Sequence, residues 1–210
     1  MKEYLKELTK GCWTVPNLLS VLRIIMIPFF AYYFMQKELL IAVIILVLSG
    51  LTDFFDGKIA RRFNQISTLG KILDPLADKL TQITIAVVFF ITFWRADGLV
   101  HTFSVIFLIF LIKEAVMVLG AVAMIILGLK PGAAEMPGKV ATFAFYLIMI
   151  SIMFFGPGIG ITGIYYPDVV MIVLISISAI LTLIAFCSYI PGVKQQLREK
   201  KEKKSAENIQ

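Results

Sequence analysis

The stretch LTDFFDGKIARRFNQISTLGKILDPLADK, Leu51 to Lys79, sets Asp53, Asp56, Asp74 and Asp78 between strongly apolar segments. The chain has 210 residues, 59% hydrophobic and only 16% charged, with mean hydropathy +0.89. A soluble domain of this size needs a polar surface, and too little polar sequence is present to supply one. Apolar segments of about 20 residues recur instead, as in membrane-spanning helices. They predict six spans, at 16–35, 39–62, 70–94, 102–128, 138–156 and 168–190. The first outruns a signal-peptide core and no small-residue cleavage site follows it, so it reads as a retained span.

The cations orient this array. Lys2, Lys6 and Lys10 precede the first span, Arg61 and Arg62 enter the second connection, and Lys130 lies in the fourth. The tail carries Lys194, Arg198, Lys200, Lys201, Lys203 and Lys204, whereas the opposite loops hold Lys37 and Arg95. The positive-inside rule then places both termini in the cytoplasm, as an even number of spans requires. The net charge of +6 follows from topology and attraction to anionic headgroups, so no nucleic-acid partner is needed to explain it. Cys12 and Cys187 fall on the reducing side, which argues against a disulfide.

Three regions follow: residues 1–13, an amphipathic cytoplasmic arm; residues 14–192, one six-helix membrane domain; and residues 193–210, a basic tail expected to be disordered. Pro131, Gly132 and Pro137 mark the loop before the fifth span, and GPGIGITG, Gly156 to Gly163, marks the next turn.

Helical periodicity sorts the opening stretch. Asp53, Asp56, Gly57, Ala60 and Arg61 share a face of the second helix, and Gly70, Asp74 and Asp78 share a face of the third. A short link makes the two helices neighbours, so the four carboxylates are expected to converge. One Asp at mid-bilayer costs roughly 2.5–3.5 kcal/mol, and four cost on the order of 10 kcal/mol before mutual repulsion. Ion pairs with Arg61, Lys71 and Lys79 offer one resolution. Divalent cations offer a more direct one, because all-oxygen donors suit Mg²⁺, Mn²⁺ or Ca²⁺. Gly57, Ala60 and Gly70 leave that face without bulk, room for a metal-bound phosphate ester.

Asp53-x-x-Asp56-Gly57-x-x-Ala60-Arg61, eight further residues, then Gly70-x-x-x-Asp74-x-x-x-Asp78 resembles the complete signature of the CDP-alcohol phosphotransferases. PNLLSVLRIIMIPFF, Pro16 to Phe30, is similar to the first helix of the bacterial phosphatidylglycerolphosphate synthases within that family. The resemblance implies an all-α, six-helix homodimeric enzyme of the bacterial inner membrane with a cytoplasm-facing cavity. It implies that Asp53, Asp56 and Asp74 hold two divalent cations, Mg²⁺ or Mn²⁺, with Asp78 reaching one of them. By the same resemblance Asp53, Gly57, Ala60, Arg61 and Gly70 hold the CDP moiety of CDP-diacylglycerol. Asp78 is then the general base on the acceptor hydroxyl, and CMP leaves.

The acceptor is less sharply marked. Lys113–Glu114 and Gly138–Lys139 are similar to elements of glycerolphosphate-type members, making Lys113 and Lys139 candidate acceptor residues together with Arg23. Ala121 and Ala141 stand where further cations are common in that type. Glycerol 3-phosphate is the favoured acceptor, and phosphatidylglycerol, as in the family's cardiolipin synthases, is the alternative. An ion-coupled transporter would also use intramembrane acids, but transport explains neither Arg61 nor the glycine spacing. A prenyltransferase is disfavoured because its acidic motifs would stand farther apart.

Overall fold

The structure is a computed structural model that describes residues 14–63, 70–95, 99–126 and 136–207. Within these, the side chains at 54, 56, 57, 60, 61, 71, 72, 99, 100, 103, 121, 125, 126 and 201–207 fall outside the description. So do the proposed amphipathic arm, residues 1–13, and with it Cys12.

Among the described residues the regular structure is six α-helices: α1 Val15–Met35, α2 Leu39–Arg62, α3 Gly70–Trp94, α4 Leu99–Ile126, α5 Met136–Phe155 and α6 Asp168–Glu207. Local chemistry sets their ends. Thr14 caps α1, its side chain accepting from Asn17 N at 3.4 Å, and Pro16 occupies the first turn, where its missing N–H costs nothing. At the other end, Lys37 N donates to Phe34 O and Glu38 N to Tyr33 O, with Lys37 at φ 62°. That pairing is a Schellman motif, and it lets α2 begin after a tight reversal. Between α5 and α6, Gly158 and Gly163 adopt φ 77° and 72°. Gly156 is needed for a different reason: a Cβ there would stand 2.5 Å from Ile152 O.

Among the described residues five helices are long and apolar enough to cross a bilayer, while the apolar portion of α2 covers Leu39–Asp53. The difference from the six predicted spans lies in the last part of α2, where DFFDGKIARR interrupts the apolar run. Large apolar side chains such as Leu18, Phe29, Leu119, Phe143 and Val169 are exposed, as expected where lipid is the solvent. The chain is therefore an integral membrane protein.

Two expectations need correction. Pro137 lies inside the first turn of α5 rather than in the preceding loop. The tail expected to be disordered from residue 193 continues α6 as helix through Glu207. Its Lys, Glu, Gln and Ala are strong helix formers, and Gln195 Nε2 donates to Glu199 Oε1 at 3.0 Å one turn on.

Helix α1 packs on α2 and α3, α3 on α4, α4 on α6, and α6 on α5, with a narrower contact from α5 back to α2. The six helices thus form a ring. Phe34, Phe89, Phe93 and Phe107 fill one end of it, Phe34 and Phe89 with ring centroids 4.9 Å apart and Phe89 stacked on Phe107 at 5.4 Å. Phe34, Phe89 and Phe93 come from the C-terminal halves of α1 and α3, and Phe107 from the N-terminal half of α4. The opposite end holds the N-terminal halves of α1 and α3 and the C-terminal half of α2, and there the carboxylates lie.

Candidate active site

Helix α1 organises this end. Ser20 and Arg23 stand three residues apart on one face, and both are buried. Arg23 reaches α2, its Nη1 2.7 Å from Asp53 Oδ1. Ser20 reaches α3, its hydroxyl lying against Asp74 Oδ1 and 3.0 Å from Pro16 O. A hydroxyl has one proton, and the carboxylate is the stronger acceptor. One turn of α1 thereby holds a carboxylate from each of two other helices. Asp53 remains 56% exposed although Arg23 is 2% exposed, so the acid is open to a ligand while its partner is locked in the wall.

Asp78 lies one turn beyond Asp74 and meets different partners. Tyr146 OH on α5 donates to Oδ1 at 3.4 Å, and Gln82 Nε2 donates to Oδ2 at 3.4 Å. Gln82 also reaches Thr142 Oγ1 on α5 at 3.1 Å. Beside this group, Lys79 Nζ is 3.0 Å from Glu114 Oε2, and Lys113 donates to Glu114 Oε1. Glu114 is fully buried and shared by two ammonium groups. Lys113 Nζ also stands 4.8 Å from the Phe110 ring centroid.

The sequence-predicted residues are thus partly brought together. Asp53 and Asp74 meet the same turn of α1, while Asp78 continues the α3 face toward α5. Gly70 is the buried first residue of α3. Asp56, Gly57, Ala60 and Arg61 lie in α2, with their side chains outside the description. Arg23 engages Asp53, Lys113 engages Glu114, and Lys139 is exposed in the first turn of α5. Among the described residues, no group of three or more His, Cys, Asp or Glu side chains is close enough to hold one metal ion. The donor chemistry nevertheless fits a hard divalent cation: Asp53 and Asp74 supply oxygen alone, each with Oδ1 oriented by α1.

Ser20, Gln82, Thr142 and Tyr146 were missed by sequence reasoning. Ser20 had a signal, one turn before a buried Arg, and Gln82 extends the Asp74, Asp78 spacing by another turn. Thr142 and Tyr146 form a pair one turn apart on α5, beside the Ala141 at which a cation was sought.

The structure is thus a helical membrane protein in which one helix holds a carboxylate from each of two others. The model of the family described as CDP-alcohol phosphatidyltransferase matches residues 13–184, and the chain belongs to that family. It is 31% identical over 189 residues to the CDP-diacylglycerol--glycerol-3-phosphate 3-phosphatidyltransferase of Aquifex aeolicus, covering 88% of this chain and 99% of that protein. It is 35% identical over 148 residues to the cardiolipin synthase (CMP-forming) of Streptomyces coelicolor, covering 66% of each. A Mycobacterium tuberculosis protein with a provisional cardiolipin synthase name is 39% identical over 133 residues, 63% of this chain. The match spans 60% of that mycobacterial relative's length.

Proposed function

We propose that the protein transfers a phosphatidyl group from CDP-diacylglycerol to the hydroxyl of a phosphate-bearing acceptor, releasing CMP in phospholipid synthesis. The observation that carries this reading is the joint hold of α1 on Asp53 and Asp74, within a chain that the family model matches over residues 13–184. Asp53, Asp56, Asp74 and Asp78 would hold two Mg²⁺ or Mn²⁺ ions. Bound there, such ions supply charge neutralisation at the diphosphate and stabilise the departing phosphate oxygen.

The chain's own residues do the rest. Arg61 binds the diphosphate as a charge-assisted donor, and Gly57, Ala60, Gly70 and Asp53 shape the CDP subsite. Asp78 takes the proton of the acceptor hydroxyl. The acceptor oxygen forms a bond to the β-phosphorus, the bond from that phosphorus to the CMP oxygen breaks, and CMP leaves with the electron pair.

Glycerol 3-phosphate is the acceptor we favour, supported by the relative aligned over nearly its whole length and by the two ammonium groups, Lys79 and Lys113, gathered on Glu114. Lys139 would add a cation from α5. Phosphatidylglycerol is the second reading, supported by the relatives named as cardiolipin synthases and by Ala121 and Ala141 in place of cations. In this proposal α2 also spans, giving six crossings of a bacterial inner membrane with both termini and the site cytoplasmic, and the enzyme is a homodimer. The test offers purified protein CDP-diacylglycerol with Mg²⁺ or Mn²⁺ and each acceptor in turn. CMP release with glycerol 3-phosphate supports the favoured acceptor, and release only with phosphatidylglycerol replaces it.

A further inference from the structure

The polar side chains around Asp78 form two facing pairs. Asp78 and Gln82 stand one turn apart on α3, and Thr142 and Tyr146 stand one turn apart on α5. Tyr146 donates to one oxygen of Asp78 and Gln82 to the other, each at 3.4 Å. Gln82 is 2% exposed and held at both ends of its amide, by Thr142 Oγ1 at 3.1 Å and by Lys79 Nζ on Oε1 at 3.4 Å. Each partner therefore limits the freedom of the next. Helices α3 and α5 do not pack directly as neighbours in the ring, so these polar side chains are what joins them here. What the polar quartet adds is a defined plane for one carboxylate.

We infer that Gln82 and Tyr146 are positioning residues for Asp78, with Thr142 holding Gln82 in place. An ionised carboxylate offers about four lone-pair sites. The two donors occupy one site on each oxygen and fix the direction of the others toward the acceptor hydroxyl. Hydrogen bonds of this kind are long before substrate binds and tighten in the reacting complex. This inference rests on the reading of Asp78 as the base.

The experiment compares Tyr146→Phe, Gln82→Met, Thr142→Ser, Thr142→Val and Asp78→Asn in the full-length detergent-purified protein with Mn²⁺. Turnover, KM for CDP-diacylglycerol, CDP-lipid binding and thermal midpoint are measured for each. Tyr146→Phe and Gln82→Met each lower kcat about 10- to 100-fold, the range expected when a supporting partner is lost, with KM, lipid binding and midpoint close to the parent. Thr142→Ser keeps turnover and Thr142→Val loses it, because the serine retains the hydroxyl. The Gln82→Met/Tyr146→Phe double variant falls no lower than Asp78→Asn. Unchanged kcat in both single variants overturns the inference, as does a kcat loss matched by lost lipid binding and a lower midpoint. If Asp78→Asn itself retains turnover, the base assignment fails and the inference falls with it. If Asp78→Asn is inactive while the single variants turn over normally, the positioning role alone is refuted.

Discussion

Arg23 Nη1 lies 2.7 Å from Asp53 Oδ1, and the two side chains differ sharply in exposure, 2% against 56%. The pair is therefore asymmetric. Asp53→Asn removes a counter-charge from a buried guanidinium, whereas Arg23→Met leaves an acid that water can solvate. In metal-free detergent solution Asp53→Asn should lower unfolding free energy by about 2–3 kcal/mol, and Arg23→Met by less than about 1 kcal/mol. Equal losses in chemical denaturation would show that the guanidinium does not depend on Asp53.

Ser20 turns one oxygen of Asp74 toward α1. Ser20→Ala should weaken Mn²⁺ binding about 10-fold, as removal of a group that orients a ligand does, and Ser20→Thr should restore it. Electron paramagnetic resonance titration of free Mn²⁺ reads this without any turnover. Parent-like affinity in Ser20→Ala would detach Ser20 from the metal site.

The Lys79–Glu114–Lys113 cluster separates stability from acceptor binding. Glu114→Gln leaves two buried or half-buried ammonium groups facing a neutral amide, and should cost about 3 kcal/mol of stability. Lys113→Met, with the Lys79–Glu114 pair intact, should raise KM for the acceptor about 10-fold or more while KM for CDP-diacylglycerol stays constant. If both KM values rise together, Lys113 is not an acceptor residue.

Gly156 has no space for a side chain, since its Cβ would fall 2.5 Å from Ile152 O and 2.9 Å from Ile152 Cγ2. Because the obstruction includes backbone, Gly156→Ala should destabilise the protein by about 1–3 kcal/mol without altering KM. Gly192, whose Cβ would meet open space inside α6, is the control, and Gly192→Ala should stabilise by up to about 1 kcal/mol through helix propensity. A stable Gly156→Ala variant would show that the α5–α6 turn relaxes freely.

How much was legible follows from which signals are local. The ranges 39–62 and 70–94 coincide with α2 and α3 because apolar onset, Gly70 and Trp94 mark those ends directly. Helical period places Asp74 and Asp78 one turn apart on α3, as the helix Gly70–Trp94 has them, while the side chains at 56, 57, 60 and 61 of α2 lie outside the description. The partners were not legible, because which side chain meets Asp74 or Asp78 depends on how neighbouring helices are rotated about their axes. Thr142 and Tyr146 are uncharged, so nothing in composition sets them apart from residues that face lipid or satisfy their own helix, and Ser20 is marked only by its place one turn before Arg23. Charge and low hydropathy in the tail predict disorder, but Lys, Glu and Gln also favour helix, and the helix continues through Glu207. The acceptor stays open for a related reason: Lys113 and Glu114 read in sequence as a basic–acidic pair, and the structure pairs them, which leaves the acceptor's own contacts unread.

The central claim is tested most directly by CMP release from CDP-diacylglycerol by the purified protein, with and without Mg²⁺ or Mn²⁺, offering glycerol 3-phosphate and phosphatidylglycerol separately. The account predicts CMP release that requires both a divalent cation and an acceptor hydroxyl, and that Asp78→Asn abolishes while still binding the CDP-lipid. No metal-dependent CMP release with either acceptor, or full release by Asp78→Asn, would contradict it.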